Sequence, residues 1–320
     1  MTDQAPRFTR RQIGILGAGA LALPARAQAW TPSQPIVILV GFAPGGSADQ
    51  IARHLSSAAK SIFPVPVVVV NRPGAAGAIA AQATAEAKPD GYTLFVGGGS
   101  ETTSVGNFKT LPYDPRQSFT TVIKVSRAPT ILAVRADSKF ADMKALLAEA
   151  KQAPEKVSYA STGEAGIFHA TGTVWEKLAG VKLLHVPYKG AAESMTALVG
   201  GQVDSAFGAY EEMKPMLEAG RVRPLALFSR TRLPALPNVS TMTELGVPVA
   251  LDNMKGLMGP AGLPQPVRQS LHDGFRRAMQ TTEWKEFVAR SGLTQDYADG
   301  AAFQKEIVET YDLIGKAIAK

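Results

Sequence analysis

The sequence predicts an α/β fold of layered helices and mainly parallel sheets. Three observations carry that prediction. Short apolar, β-branched runs recur at strand length. Amphipathic helical patterns lie between many of them. The chain of 320 residues, 45% hydrophobic and 19% charged, has room for two domains or one large one. The strand candidates in order are "PIVILVGF", "VPVVVV", "YTLFVG", "TILAVR", "KVSYAS", "LLHVPY", "VDSAFG", "RPLALFS" and "KGLMGP". Several are apolar at consecutive positions, as strands covered on both faces are. Among the helices, Ile51, Leu55, Ala58 and Ile62 share one face, as do Phe168, Gly172, Trp175 and Ala179. Phe303, Ile307, Tyr311 and Ile314 do the same near the C-terminus. Alternation of the two patterns argues for parallel sheets built from strand–helix–strand units. Pro112 to Thr121 and Leu233 to Pro248 read as loops. "TTVIKVSRAPTILAVR" reads as a crossing between two domains and "NMKGLMGPAGLP" as the return.

Residues 1–29 read as an export signal rather than as fold. Arg10-Arg11 precede an uncharged stretch from Gln12 to Ala25, followed by Ala25-Arg26-Ala27 and Ala27-Gln28-Ala29. The paired arginines after Thr9 favour twin-arginine export over an ordinary signal with two adjacent arginines. Cleavage is expected after Ala27 or Ala29, with a periplasmic destination. Gly17-Ala18-Gly19-Ala20-Leu21-Ala22 fits a dinucleotide fingerprint, but no strand precedes it and it lies inside the signal. The net charge of +7 includes +3 from residues 1–29, which leaves +4 beyond them. No dense Lys/Arg cluster remains there, so nucleic acid is not an expected partner. There is no cysteine, which excludes disulfides and thiolate chemistry. His54, His169, His185 and His272 have no metal-ligand spacing, so neither a metal nor another cofactor is expected.

Two turns carry the chemistry. In "IVILVGFAPGGSADQIARHL" a strand meets a helix through Pro44-Gly45-Gly46-Ser47. Ser47-Ala48-Asp49-Gln50 matches a capping box, with Ser47 as N-cap and Gln50 as N3. Glycines there let the backbone approach a ligand, and a helix start offers free N–H groups with a partial positive charge. The second turn, "KVSYASTGEAGIFHATGTVW", repeats the arrangement with Ser161-Thr162-Gly163-Glu164 and Gly166. On spacing alone each turn is either an anion site or a plain connector. A nucleotide is disfavoured, because no G-x-x-x-x-G-K-[ST] exists. Ser47 or Ser161 could act as a nucleophile with His169 or His185 as base, but no G-x-S-x-G is present.

At this point the chain resembles the Bug-type periplasmic solute-binding proteins of tripartite tricarboxylate transporters. "FAPGGSADQIAR", "VVNRPGAAGAIAA", "KPDGYTLFVG", "LPYDPRQSF", "HVPYKGAAESMTALVGGQVDSAF" and "LFSRTRLPALPNVSTMTELGVP" carry the resemblance, from about residue 33 onward. It implies a type II periplasmic-binding-protein fold, two α/β domains joined by crossing hinge strands with a ligand cleft between them. The domains are expected at 30–125 plus 261–320 and at 126–260. It implies capture of a small carboxylate, whether organic acid, acidic amino acid or aromatic carboxylate, by a monomer that serves the membrane components of a transporter. The alternatives are an exported serine hydrolase acting on a small carboxylated substrate, or a sensor feeding a signalling partner. Matching the family's motifs residue by residue gives Phe42, Ala43, Gly45, Gly46, Ser47 and Asp49 at the first turn. Ser161, Thr162, Gly163, Gly166 and His169 follow at the second, with Ser100, Tyr188 and Asp204 along the cleft. Two departures stand out. Glu164 replaces a commonly smaller, uncharged residue: in the cleft it would favour a ligand with an amino or neutral end, and as a capping residue it would say nothing. Met254 and Lys255 stand near a position commonly held by tryptophan and change the pocket wall.

Overall fold

The structure is a computed structural model that describes residues 1–2 and 30–319. The expected signal, including both arginines and both cleavage positions, lies outside the described residues. The first half runs β1 (Ile36–Val40), α1 (Ser47–Ala59), β2 (Val67–Asn71), α2 (Ala78–Ala85), β3 (Thr93–Gly97), α3 (Ser100–Thr103), α4 (Val105–Phe108) and β4 (Phe119–Ala128). The chain continues through β5 (Thr130–Arg135), α5 (Met143–Gln152), β6 (Ser158–Ser161), α6 (Ile167–Ala179), β7 (Leu184–Pro187), α7 (Ala191–Val199), β8 (Ser205–Ala209), α8 (Tyr210–Glu218) and β9 (Val222–Leu227). It closes with β10 (Asn253–Pro260), α9 (Gln265–Ala278), α10 (Thr282–Ser291), β11 (Gln295–Asp299) and α11 (Gly300–Ala319).

All nine expected strand runs form strands. They gather in two sheets, ordered β11-β4-β10-β3-β1-β2 and β7-β6-β8-β5-β9. Both sheets are mixed, which corrects the expectation of mainly parallel ones. The strand–helix–strand units supply the parallel sets β2-β1-β3 and β7-β6-β8. The strands that pass between sheets enter antiparallel: β10 pairs with β3 and β4, and β5 with β8 and β9.

Sheet membership changes at Pro129, between β4 and β5, and again just before β10. The segment after β9 stays with the second sheet: Phe228 N donates to Thr130 O, Leu251 N to Phe228 O, and Thr130 Oγ1 to Leu251 O. Asn253 then pairs with Ala128 in the first sheet. Two crossings thus lie side by side.

Each sheet is covered on both faces, which is why its central strands are apolar throughout. α1, α9 and α10 pack Ile51, Leu55, Leu271, Phe275 and Trp284 on one face of the first sheet. On the other face, Phe303 and Ile307 of α11 meet Phe95 and Met258. In the second sheet α6 inserts Phe168 and the fully buried Trp175 beside Phe207. α7 and α8 cover the opposite face with Met195, Leu198 and Met213. α11 also reaches across, because Ile314 joins the second sheet's core.

Candidate functional site

The first turn is held by Asp49. Its Oδ2 accepts from Gly45 N and Arg53 Nε, both at 2.9 Å, and its Oδ1 accepts from Asn71 Nδ2 at 2.8 Å. Burial alone would raise this carboxyl, but the donors of Arg53, Gly45 and Asn71 hold it below the usual range. Gln50 Nε2 donates back to Gly45 O at 2.9 Å. Gly45 takes φ +90, where a side chain would be strained. The expected capping box is not formed. Gly46 is the N-cap of α1, and Ser47 is its first helical residue. Ser47 Oγ instead donates to Glu212 Oε1 of α8 at 2.8 Å, across to the other half of the chain. The helix start is therefore uncapped: the N–H groups of Gly46, Ser47 and Ala48 have no acceptor among the described residues.

The second turn differs more from expectation. Its helix begins at Ile167 with Gly166 as N-cap, so Ser161 and Glu164 cannot form a capping box. Glu164 is exposed and pairs with Lys109 at 2.7 Å, which turns its charge outward. Ser161 is fully buried and lies 2.7 Å from His185 Nε2. His169 Nδ1 accepts from Ala165 N at 2.9 Å, which leaves any ring proton on Nε2. Phe108, His169, His185 and Tyr159 stack in sequence at 5.0, 4.0 and 4.9 Å between ring centroids. Burial, with His169 beside it, lowers His185 to about 4, so the imidazole is neutral. Burial also lowers His169. The Ser161–His185 pair is not a triad: no carboxylate hydrogen-bonds the other ring nitrogen of His185 among the described residues.

The turns border a cavity of about 480 Å³ between the two sheets, within the size range of small-molecule sites. Of the residues predicted from sequence, Phe42, Ala43, Gly45, Gly46, Ser47, Ser100 and Thr162 line it. Ser100 also accepts from Ile167 N at 2.9 Å, which ties the start of α6 to the first half of the chain. The others do not reach the cavity. Asp49 points into its own turn, and Ser161 and His169 stand in the ring stack. Gly163 and Gly166 shape the backbone behind Thr162. Tyr188 packs on the core between β6 and α7. Asp204 Oδ2 accepts from Ser158 N and Oγ, which fastens β6 to the start of β8.

Sequence reasoning missed a third helix start. Gly190, Ala191, Ala192 and Glu193 of α7 line the cavity, and the N–H groups of Ala191 and Ala192 have no acceptor among the described residues. It also missed the buried acids beside Lys255, a residue that the sequence had marked for the pocket wall. Glu101, Glu211, Glu212 and Lys255 line the same cavity. Lys255 Nζ lies 3.4 Å from Glu211 Oε1, both side chains being nearly solvent-free. Burial pushes Glu101 up to about 7 in spite of donated N–H groups and Lys255. Burial likewise raises Glu212, opposed by Lys255. A second, more open groove of about 530 Å³ runs along Lys109–Arg116 and Tyr311, and its Lys109 pairs with Glu164 of the second turn. Among the described residues no three His, Cys, Asp or Glu side chains converge to hold a metal ion.

The model of the TctC family, the tripartite tricarboxylate transporter family receptor, matches residues 42–320. The "UPF0065 protein in gbd 5′ region" of Cupriavidus necator is 34% identical over 299 residues, 91% of this chain and 89% of that protein. BugT of Bordetella pertussis is 32% identical over 88% of this chain and 87% of its own length. A solved periplasmic transporter superposes with a TM-score of 0.83 at 34% identity, over 90% of this chain and 97% of the other. MatC of Rhodopseudomonas palustris with bound malate gives a TM-score of 0.81 at 25% identity, over 90% and 99%.

Proposed function

The chain belongs to the tripartite tricarboxylate transporter family of receptors, and from that premise we propose that it captures a small carboxylate in the cavity between its two sheets. It is a receptor of a transport system and not an enzyme. One observation carries the reading. The free N–H groups of Gly46, Ser47 and Ala48 open on the cavity at the positive end of a 13-residue helix. Such a start binds an anion without a lysine or arginine, through charge-assisted hydrogen bonds. The free N–H groups of Ala191 and Ala192 form a second donor pair on the other half. Malate on the related MatC supports a carboxylate as the solute class.

In this proposal the halves built on the two sheets close over the ligand. They exchange the chain at Pro129 and ahead of Asn253, rather than at 125/126 and 260/261. The crossings at Thr130 and Leu251 serve as hinge. Ser47–Glu212, Ser100–Ile167, Ser104–Ala165 and Lys109–Glu164 are among the contacts that ligand entry has to part. The protein leaves the cytoplasm by its twin-arginine segment, acts as a monomer and delivers its ligand to the membrane components of the transporter.

A thermal-shift panel of organic acids, acidic amino acids and aromatic carboxylates tests the proposal. A binder at a hundred times its dissociation constant adds about 2.7 kcal/mol of stability. A coherent group of carboxylate hits supports the reading. Stabilisation by uncharged solutes alone contradicts it.

A further inference from the structure

The second turn meets the first half of the chain along the short stretch from Glu164 to His169. Lys109 Nζ donates to Glu164 Oε2 at 2.7 Å, and Ser104 Oγ donates to Ala165 O at 2.8 Å. Ile167 N donates to Ser100 Oγ at 2.9 Å, and the Phe108 ring stacks on His169 at 5.0 Å between centroids. The middle of this stretch is strained. Ala165 is fully buried and takes φ +63, a left-handed conformation that residues with a side chain rarely adopt. Such a conformation persists only where the surroundings hold it. What holds it here is the bond from Ala165 N to His169 Nδ1 at 2.9 Å.

That bond fixes the protonation of the ring. A backbone N–H only donates, so Nδ1 is the acceptor and the neutral ring carries its proton on Nε2. A second proton has only Nδ1 to go to, where it would set one N–H against another. His185 is different: its Nε2 faces the Ser161 hydroxyl, which can accept or donate, so charging that ring does not force the bond apart. The titratable groups around His169 come from each side. Glu164 stands in its own turn but is paired with Lys109, whose ammonium approaches from the first half. His185 of β7 lies parallel to the ring at 4.0 Å, with Tyr159 of β6 behind it. α11 meets the same cluster through the apolar Ile314. The face of Phe108 attracts a cation only weakly. Parting the halves would take Phe108 and Lys109 away and open the ring to water, and both changes favour the proton. Proton uptake and closure therefore oppose each other. In the closed arrangement burial lowers His169, with Glu164 opposing and Lys109 adding to the shift.

We propose that His169 is an acid-sensitive latch between the two halves. With Nδ1 unprotonated, it holds the second turn in the shape that meets Ser100, Ser104, Phe108 and Lys109. Protonated, it releases Ala165, the contacts at Glu164, Ala165 and Ile167 lose their register, and the halves part. The sign follows from the lowered value of His169 in the closed form. Closure is complete above the ordinary histidine value of about 6.5 and is lost as pH falls through the lowered one. The inference rests on closure of the two halves and not on the identity of the solute. It gives His169, which the sequence marked for the ligand, a role one shell away from it.

The test measures the separation of the halves in the ligand-free protein. The chain has no cysteine, so Gln50→Cys and Lys189→Cys, exposed sites at the cavity from opposite halves, take one spin label each. Pulsed electron resonance gives the distance distribution at about pH 7.5 and about pH 5. Acid should move it to longer distances, with the ratio of closed to open populations falling about tenfold. His169→Asn, in the same labelled protein, offers an amide oxygen to Ala165 N and does not titrate. It should keep the distribution seen at neutral pH and lose the acid shift. Glu212 and Asp252, both raised by burial, titrate alike in the two proteins, so the difference between them belongs to His169. Should the variant fail to fold, the nitrogen-15 resonances of the His169 ring decide: their midpoint should coincide with that of opening. An unshifted distribution in the parent protein, or an equal shift in the variant, would overturn the inference. So would a ring midpoint more than about one pH unit from that of opening. None of these results touches carboxylate capture, which the thermal-shift panel decides separately.

Discussion

Asp49→Asn isolates the group that shapes the first turn without altering the cavity wall. The Asp49 carboxylate is 3% exposed and takes three donors, from Gly45, Arg53 and Asn71. An asparagine keeps one acceptor oxygen, so its amide NH2 must face donors that used to face an oxygen. If the carbonyl stays on Asn71, the bonds to Gly45 and Arg53 are lost. A hydrogen bond to a charged group is worth about 1.5–3 kcal/mol. The Arg53 side chain is 51% exposed, so its share is screened and discounted. The expected loss is about 2–4 kcal/mol at neutral pH, most of it from Gly45. For a chain of this size that lowers the melting temperature by roughly 3–7 °C. The pH dependence gives a second handle. Asp49 is held below its usual range in the fold, so its contribution is full above the unfolded value of about 3.9 and fades as pH falls through the folded one. Urea unfolding of both proteins at pH 7 and at pH 3 measures the difference and its decay. A variant as stable as wild type at pH 7, or a difference unchanged at pH 3, would refute this account of the turn.

Other outcomes follow from the same geometry. Gly45→Ala places a side chain at φ +90 and should cost about 1–2 kcal/mol in thermal or urea unfolding. Gly46→Leu meets no such penalty, because φ is −72 and an added Cβ comes no closer than 3.8 Å to Ala43 O. It should leave ligand-free stability near wild type and weaken carboxylate binding by about a hundredfold or more in a titration, through loss of two charge-assisted bonds. The neutral His185, lowered to about 4 in the fold, contributes stability that is complete above about pH 6.5 and is lost as pH falls toward 4. His185→Phe keeps the ring stack and removes that titration, so the fall in melting temperature between pH 6.5 and 4 should flatten.

The strands were legible because runs such as Ile36–Val40 and Val67–Asn71 are β-branched and apolar at consecutive positions. Their direction was not, because parallel and antiparallel neighbours draw on the same residues. β11 left no signal: "QDYAD" is a polar edge strand that forms by pairing with β4. At the site, the glycines of the first turn announced themselves. The capping boxes misled, because Ser47 and Ser161 found stronger partners in Glu212 and His185 than the local N–H groups. The start of α7 was missed because its Gly190 N-cap makes no side-chain bond and reads as an ordinary turn. Glu101, Glu211 and Glu212 resemble surface acids in sequence, and only packing across the two sheets buries them. Asp49 and Asp204 were the reverse case: acids near the expected cleft whose oxygens are spent on Gly45, Arg53, Asn71 and Ser158.

Backbone amide resonances measured during titration with a carboxylate probe that binds test the central claim most directly. The account predicts that the amides of Gly46, Ser47 and Ala48 move downfield together and saturate with the bound fraction, with Ala191 and Ala192 following on the facing helix. Unmoved amides at the start of α1, with the largest changes elsewhere, would contradict it.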